Sequence, residues 1–255
     1  MTAPLVLISA AMAVPSGFYR PLVAAFEERG WEAQALPTRG FERGEPTASR
    51  EHDWSYDDGI QQIADAVGKA RADQPDRPVI VFGHSLGSQF CLGHELNHPP
   101  SDGFVSVGAG VPHFRHYPYG GVPLLVLSLA VPVVSRLLGH VPKPFFGAPG
   151  ARTLMTEWAG FMRTGTPPFP AEGTVRTPSL VIQLQGDALA VSTANKAFVA
   201  RFLDPDVTTR WVYTRDAAPE GGSTDHVRWA KTPGPVVDQI LTWWTTTHPH
   251  PAPHR

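Results

Sequence analysis

Short apolar runs alternate with helical periodicities along most of this chain, and that alternation limits the fold more than any other feature. Leu5–Ile8, Trp31–Leu36, Val79–Phe82, Phe104–Val107, Ser179–Leu184 and Val207–Tyr213 are each short enough to be a central strand. Between them, Phe18, Leu22, Val23 and Phe26 repeat at helical spacing before Gly30 stops the pattern. Ile60, Ile63, Ala64 and Val67 repeat likewise behind Asp57 and Asp58, which suit a helix N-terminus. A last apolar helix is marked by Val236, Val237, Ile240, Leu241 and Trp244. The pattern predicts an α/β fold, a mostly parallel, doubly wound sheet with helices on both faces.

The rhythm breaks between Ala109 and Pro170, where Gly and Pro punctuate two helical patterns near Leu124–Leu138 and Thr153–Met162. We expect a core of residues 1–108 and 171–247, an inserted helical cap or lid over 109–170, and a Pro- and His-rich disordered tail over 248–255. Apolar cap residues such as Phe145, Phe146, Trp158 and Phe161 either line a pocket or pack onto the core. The longest apolar stretch, Val122–Gly139, is interrupted by Pro123 and Pro132 and holds Arg136, so stable membrane insertion is not expected. No Lys or Arg precedes Leu5–Ile8, which predicts a strand rather than an export signal and makes the cytoplasm the expected location. A net charge of −2 gives no reason to expect nucleic acid or an anionic membrane as partner. The single cysteine, Cys91, lies in an apolar helical pattern and is expected to be a buried thiol.

Val79–Phe82 runs directly into Gly83-His84-Ser85-Leu86-Gly87, and Ser88–Leu96 can form a helix after it. The glycines permit a sharp strand-to-helix turn that holds a serine strained and exposed above a sheet. The five-residue motif alone arises by chance in roughly one such chain in ten, so the strand and helix around it carry the assignment of Ser85 as nucleophile. A serine needs a base, and the base an orienting acid. Asp187, in the turn after Ser179–Leu184, is the expected acid, preferred over Asp225, whose adjacency to His226 gives poor geometry. Of eleven histidines, His248, His250 and His254 lie in the tail. His52, His113, His116 and His140 lie in loops or the cap, and His84 adjoins the serine on a turn where neighbouring side chains diverge. His226, 39 residues after Asp187 and between the Val207–Tyr213 strand and the final helix, fits the Ser, Asp, His order and is the expected base. The oxyanion donors expected are the Leu86 amide and one from the Ser9–Val14 loop, Ala11 or Met12, with Met12 preferred.

Four segments together resemble the α/β-hydrolase superfamily, in particular single-domain bacterial esterase, lipase and thioesterase-like members. They are Ala11-Met12-Ala13-Val14-Pro15 with Phe18-Tyr19, Thr38-Arg39-Gly40-Phe41, the segment Gly83–Gly87, and Asp225-His226-Val227-Arg228-Trp229. The resemblance implies a Ser-His-Asp triad, an inserted cap and no metal or organic cofactor. It departs from the family where many relatives carry His-Gly at the start of the early loop and a glycine at the position of Ala13. A leading antiparallel hairpin is not expected, and a dehalogenase-like reaction is disfavoured because residue 85 is serine, not a carboxylate. The expected function is hydrolysis of a carboxylic ester, lactone or thioester of a small-molecule acyl substrate. The alternatives are acyl transfer or cyclisation by the same triad, and a ligand-binding protein with little turnover.

Overall fold

The computed structural model describes residues 2–143 and 149–249. In chain order the elements are β1 (Leu5–Ser9), α1 (Arg20–Glu27), β2 (Glu32–Ala35), α2 (Tyr56–Asp73), β3 (Val79–His84), α3 (Leu86–Asn97) and β4 (Gly103–Val107). They continue with α4 (Val122–Leu138), β5 (His140–Val141), β6 (Gly150–Ala151), α5 (Arg152–Thr164), β7 (Ser179–Leu184), α6 (Ser192–Phe202), β8 (Thr208–Tyr213) and α7 (Gly234–Thr247). Six strands form a parallel sheet in the order β2-β1-β3-β4-β7-β8. The fold is the mostly parallel α/β-hydrolase architecture with helical insertions.

The central strands are apolar throughout because both faces of the sheet are covered. Val6, Ile8, Ile80 and Phe82 point to one side, under Leu22 and Phe26 of α1 and Val236, Ile240 and Trp244 of α7. Leu7, Val79, Val81 and Phe104 point to the other, under α2, α3 and α6. The chain leaves β1 outward to β2 and then returns to β3, so their carboxyl ends, aligned at Ser9 and Gly83, diverge. Such a switch point opens a crevice in a parallel sheet.

The edges explain where the sequence pattern is weak. β2 is Glu32–Ala35 rather than Trp31–Leu36 because it is half exposed and alternates. Helix α6 is absent from the sequence reading, although Ala194, Phe198 and Phe202 recur at four-residue spacing and are buried. The two-residue strands β5 and β6, paired antiparallel inside the insertion, are a second addition. Phe145 and Phe146 lie outside the described residues, as does most of the tail from 248. His248 is described, and it stacks on Trp244 with ring centroids 3.7 Å apart.

Residues 119–138 are long and apolar enough to cross a bilayer, with mean hydropathy 2.0. In the fold this stretch packs one face against α5 and leaves most of its apolar residues exposed. Ser128, Val131 and Ser135 of α4 are buried, Ser135 Oγ meets Thr156 Oγ1 of α5 at 3.3 Å, and Arg163 donates to the Ser128 carbonyl at 3.0 Å. Val126, Leu129 and Val133 face outward.

Candidate active site

The site starts from the turn between β3 and α3. Ser85 has φ 54° and ψ −113°, a backbone conformation that non-glycine residues rarely adopt and that costs about 1–3 kcal/mol. The flanking glycines make it possible. A Cβ at Gly83 would stand 2.4 Å from the Ser88 Cα, and one at Gly87 would stand 2.2 Å from the Ser9 carbonyl oxygen. The second contact seats the start of α3 against the end of β1. Ser85 N–H donates to the Val107 carbonyl at 2.9 Å, and Ser88 Oγ donates to the Gly83 carbonyl at 2.7 Å, fixing the turn between two strands.

Strand ends bring the other two residues to it. Asp187 follows β7 through Gly186, whose φ of 78° lets the chain reverse. Its Oδ1 accepts the Leu189 and Ala190 amides at 2.8 and 2.9 Å, which aims Oδ2 at His226 Nδ1, 2.6 Å away. His226 Nε2 lies 2.8 Å from Ser85 Oγ. Burial acts to raise the Asp187 pKa, but the His226 ring and the two amides outweigh it and hold the carboxyl below its ordinary value. Asp225 points elsewhere, accepting from the Val227 and Arg228 amides at 3.2 and 3.0 Å as the cap of a short turn. Gly108, just after β4, has φ 59°, and a Cβ there would stand 3.1 Å from His226 Cε1 and 3.4 Å from Asp187 Oδ2. No local sequence pattern marks Gly108, because its part is to leave room for side chains from two other segments.

The early loop passes over the start of α3. The Ala11 amide donates to Tyr19 Oη at 2.9 Å, whereas among the described residues no acceptor meets the Met12 amide. The Val14 amide donates to the Ala11 carbonyl, and Ala13 inside this turn has φ 62°. Ala13 stands where the family pattern has glycine, the residue suited to such a φ. Farther along, Thr38 Oγ1 donates to the Val14 carbonyl at 2.8 Å, while Glu42 accepts from the Ser16 and Thr38 amides at 2.8 and 2.7 Å. Leu86 opens α3, where the N–H groups of a first helical turn have no intrahelical acceptor.

A cavity of about 300 Å³ lies over Ser85 and His226, roofed by Leu124 and Leu127 of α4 and Trp158 and Met162 of α5. A smaller one, about 60 Å³, adjoins it at Ala11, Met12 and Leu86, and is walled by Phe41, Trp54 and Phe90. Phe161, in contrast, is buried in the core with β-sheet residues. Among the described residues no group of three or more His, Cys, Asp or Glu side chains converges in a way that could hold a metal ion.

Comparison with solved structures finds the same fold across nearly the whole chain. The monoacylglycerol lipase of Paleococcus ferrophilus superposes with a TM-score of 0.67 at 13% identity, covering 97% of each chain. A soluble variant of monoglyceride lipase from Saccharomyces cerevisiae, in complex with a substrate analogue, gives 0.67 at 13% identity, covering 96% of this chain and 87% of that one. MenH from S. aureus gives 0.61 at 15% identity, covering 97% and 96%. Comparison with curated proteins returns no significant match. The protein-family model described as serine aminopeptidase, S33, matches residues 2–144, a span that runs from β1 through the Ser85 turn and past α4. That match covers more than half of the 255 residues, and the chain therefore belongs to this family of serine-hydrolase-type α/β-hydrolases.

Proposed function

We propose that the protein hydrolyses a carboxylic ester or thioester of a neutral, largely apolar acyl group, with Ser85 as nucleophile, His226 as general base and acid, and Asp187 as its orienting carboxylate. The observation that carries the proposal is the row Asp187 Oδ2, His226 Nδ1, His226 Nε2, Ser85 Oγ, with its two links at 2.6 and 2.8 Å. The Asp187 carboxylate can only accept, so Nδ1 holds the proton and Nε2 is free to take one. Ser85 Oγ adds to the substrate carbonyl as its proton passes to His226 Nε2. The carbonyl oxygen becomes an oxyanion between the Leu86 and Met12 amides, Met12 being favoured because the Ala11 amide already serves Tyr19. The carbon–heteroatom bond then breaks, with His226 returning the proton to the leaving group. Water, deprotonated by His226, releases the acid and restores Ser85.

The substrate class follows from the walls. An aminopeptidase must hold the terminal ammonium of its substrate, a task for a carboxylate; the described residues around the cavity over Ser85 include none, and Asp58, which lines the adjoining smaller cavity, is already engaged by Arg39 at 3.0 Å and by the Ser55 hydroxyl at 2.8 Å. Their apolar side chains suit a neutral acyl or alkyl group instead. The two cavities meet at Met12 and Leu86, which would send the acyl and leaving groups to opposite sides of the oxyanion donors. On this reading residues 109–170 act as the cap, since four of its side chains roof the larger cavity. A cytoplasmic location is part of the proposal.

Turnover of short p-nitrophenyl esters by wild type and Ser85→Ala tests it, with a drop of about 10³-fold or more expected in the folded variant. A fluorophosphonate should add to wild type at Ser85 and leave the variant unlabelled. Retained turnover in Ser85→Ala would reject the mechanism. Preference for an aminoacyl p-nitroanilide over the ester would reject the substrate class, and transfer to an added amine or alcohol as the main outcome would reject net hydrolysis.

A further inference from the structure

We infer that the buried His84 ring is a positioning residue, tying the loop that carries Met12 to the loop that carries His226 through one hydrogen-bonded row from the Ala11 amide to the His226 carbonyl. The inference rests on the triad proposed above, because it concerns how two separate parts of that site are kept in register. Tyr19 and His84 are fully buried. The Ala11 N–H donates to Tyr19 Oη at 2.9 Å, Tyr19 Oη lies 2.7 Å from His84 Nδ1, and His84 Nε2 lies 2.7 Å from the His226 carbonyl oxygen.

The chemistry of the ends fixes the direction of the row. A carbonyl oxygen only accepts, so His84 Nε2 must carry the ring proton and donate it to His226. The neutral ring then offers a lone pair at Nδ1, which accepts the Tyr19 hydroxyl, and the Tyr19 oxygen in turn accepts the Ala11 amide. Every donor points the same way, from the early loop toward the base. The Trp229 indole N–H also faces Nε2, at 3.3 Å, but a carbonyl oxygen at 2.7 Å requires a proton on Nε2, so the shorter contact sets the tautomer and the indole is an edge-on neighbour with the two rings 83° apart.

The placement of the two ends separates this row from ordinary core packing. One end occupies the amide next to Met12, which leaves Met12 as the free donor of the early loop. The other holds the main chain of the base itself, and His84 directly precedes the nucleophile. A cationic His84 would lose its acceptor at Nδ1 and break the row. Burial, and next the neighbouring His226 ring, push its pKa down to about 3, so the ring stays neutral at neutral pH. That also spares His226, whose ring centre is 5.3 Å away, a like charge when it takes the serine proton.

Tyr19→Phe keeps the ring and removes only the link, so it is the variant to compare first with wild type. With a short p-nitrophenyl ester, at a temperature where circular dichroism shows both folded, we expect kcat to fall about tenfold or more with KM changed less than about threefold. His84→Gln retains a donor for the His226 carbonyl, His84→Asn retains an acceptor for Tyr19, and His84→Ala retains neither. The first two should keep more activity than the third. Adding Tyr19→Phe to His84→Ala should cost nothing more, since the row is already broken. Nitrogen-15 spectra of wild type should show His84 as the Nε2–H tautomer, without titration between about pH 5 and 9. Unchanged kcat in folded Tyr19→Phe, multiplying effects in the double variant, or an Nδ1–H tautomer would overturn the row. Failure of the triad is a separate outcome, read from turnover that survives Ser85→Ala.

Discussion

Gly108 shows how one missing methyl group sets the geometry of a site. Its φ of 59° lies where L side chains are strained, and the space a Cβ would take is held by His226 Cε1 and Nδ1, 3.1 and 3.2 Å away. Gly108→Ala therefore adds a left-handed strain of about 1–2 kcal/mol and pushes on the His226 ring, which stands between Asp187 and Ser85 and is the proposed base. Misplacing a catalytic group by about 1 Å costs up to about 10²-fold. The variant is expected to fold with a lowered Tm and to lose at least about tenfold in kcat, with a smaller change in KM. Wild-type kcat in the folded variant would show that the ring has room to give. Ser85 was legible in the sequence because strand, glycine, serine, glycine and helix are contiguous there. Asp187 and His226, which the fold brings to Ser85 and which are proposed as acid and base, stand out by following strand ends in chain order. Tyr19 and Gly108 were not, because a hydroxyl meeting a ring 65 positions away, or a gap left for another residue's side chain, has no local signature.

At the scale of elements, the insertion is held to the core by contacts made at a distance. Helix α5 has no side-chain cap of its own at Ala151, and Asp53, from the loop before α2, takes that role. It accepts the Thr153 amide at 2.9 Å, the Thr153 hydroxyl at 2.6 Å and Arg152 at 3.0 Å, while the Trp54 carbonyl accepts the Leu154 amide. A carboxylate at a helix N-terminus is favoured by the unsatisfied amides and the helix dipole. Asp53→Ala should cost about 1–2 kcal/mol in chemical denaturation and raise KM by loosening α5, whose Trp158 and Met162 roof the cavity. The sign with pH is defined. Burial raises the Asp53 pKa, but the Thr153 and Arg152 bonds lower it more, so the folded value lies below the unfolded one. Its stabilisation is present above the unfolded pKa, about 3.9, and is lost as pH falls through the folded value. The penalty of Asp53→Ala should shrink on acidification, and a penalty that holds steady down to about pH 3 would reject the assignment. The helices of the insertion were readable from their periodicity, but their docking was not, since Asp53 and Thr153 are 100 positions apart. Helix α6 escaped notice because its buried positions are few and interleaved with polar ones.

Across the whole molecule, one buried carboxyl joins segments that no single element connects. Glu95 of α3 accepts the Ser101 amide and hydroxyl, at 3.1 and 2.6 Å, and the Thr177 hydroxyl. It thereby ties the helix behind Ser85 to the turns that launch β4 and β7. Burial raises its pKa more than these bonds and Arg71 lower it, and the neighbouring His94 is itself driven down to about 4 by burial, so it brings no charge at neutral pH. A carboxyl with a raised folded pKa contributes stability that is complete below the unfolded value, about 4.3, and fades as pH rises through the folded value. Glu95 thus opposes Asp53 and Asp187, whose depressed values make stability rise with pH in the acid range. Glu95→Gln should separate the two trends. The amide oxygen can still accept from Ser101 and the amide nitrogen can donate to the Thr177 oxygen, while the buried charge is gone. Measured by urea denaturation at about pH 4, 5.5 and 7, the variant should gain on wild type steadily as pH rises, because only wild type must ionise a buried group. Parallel stability curves across that range would show that Glu95 ionises as easily in the folded protein as in the unfolded chain.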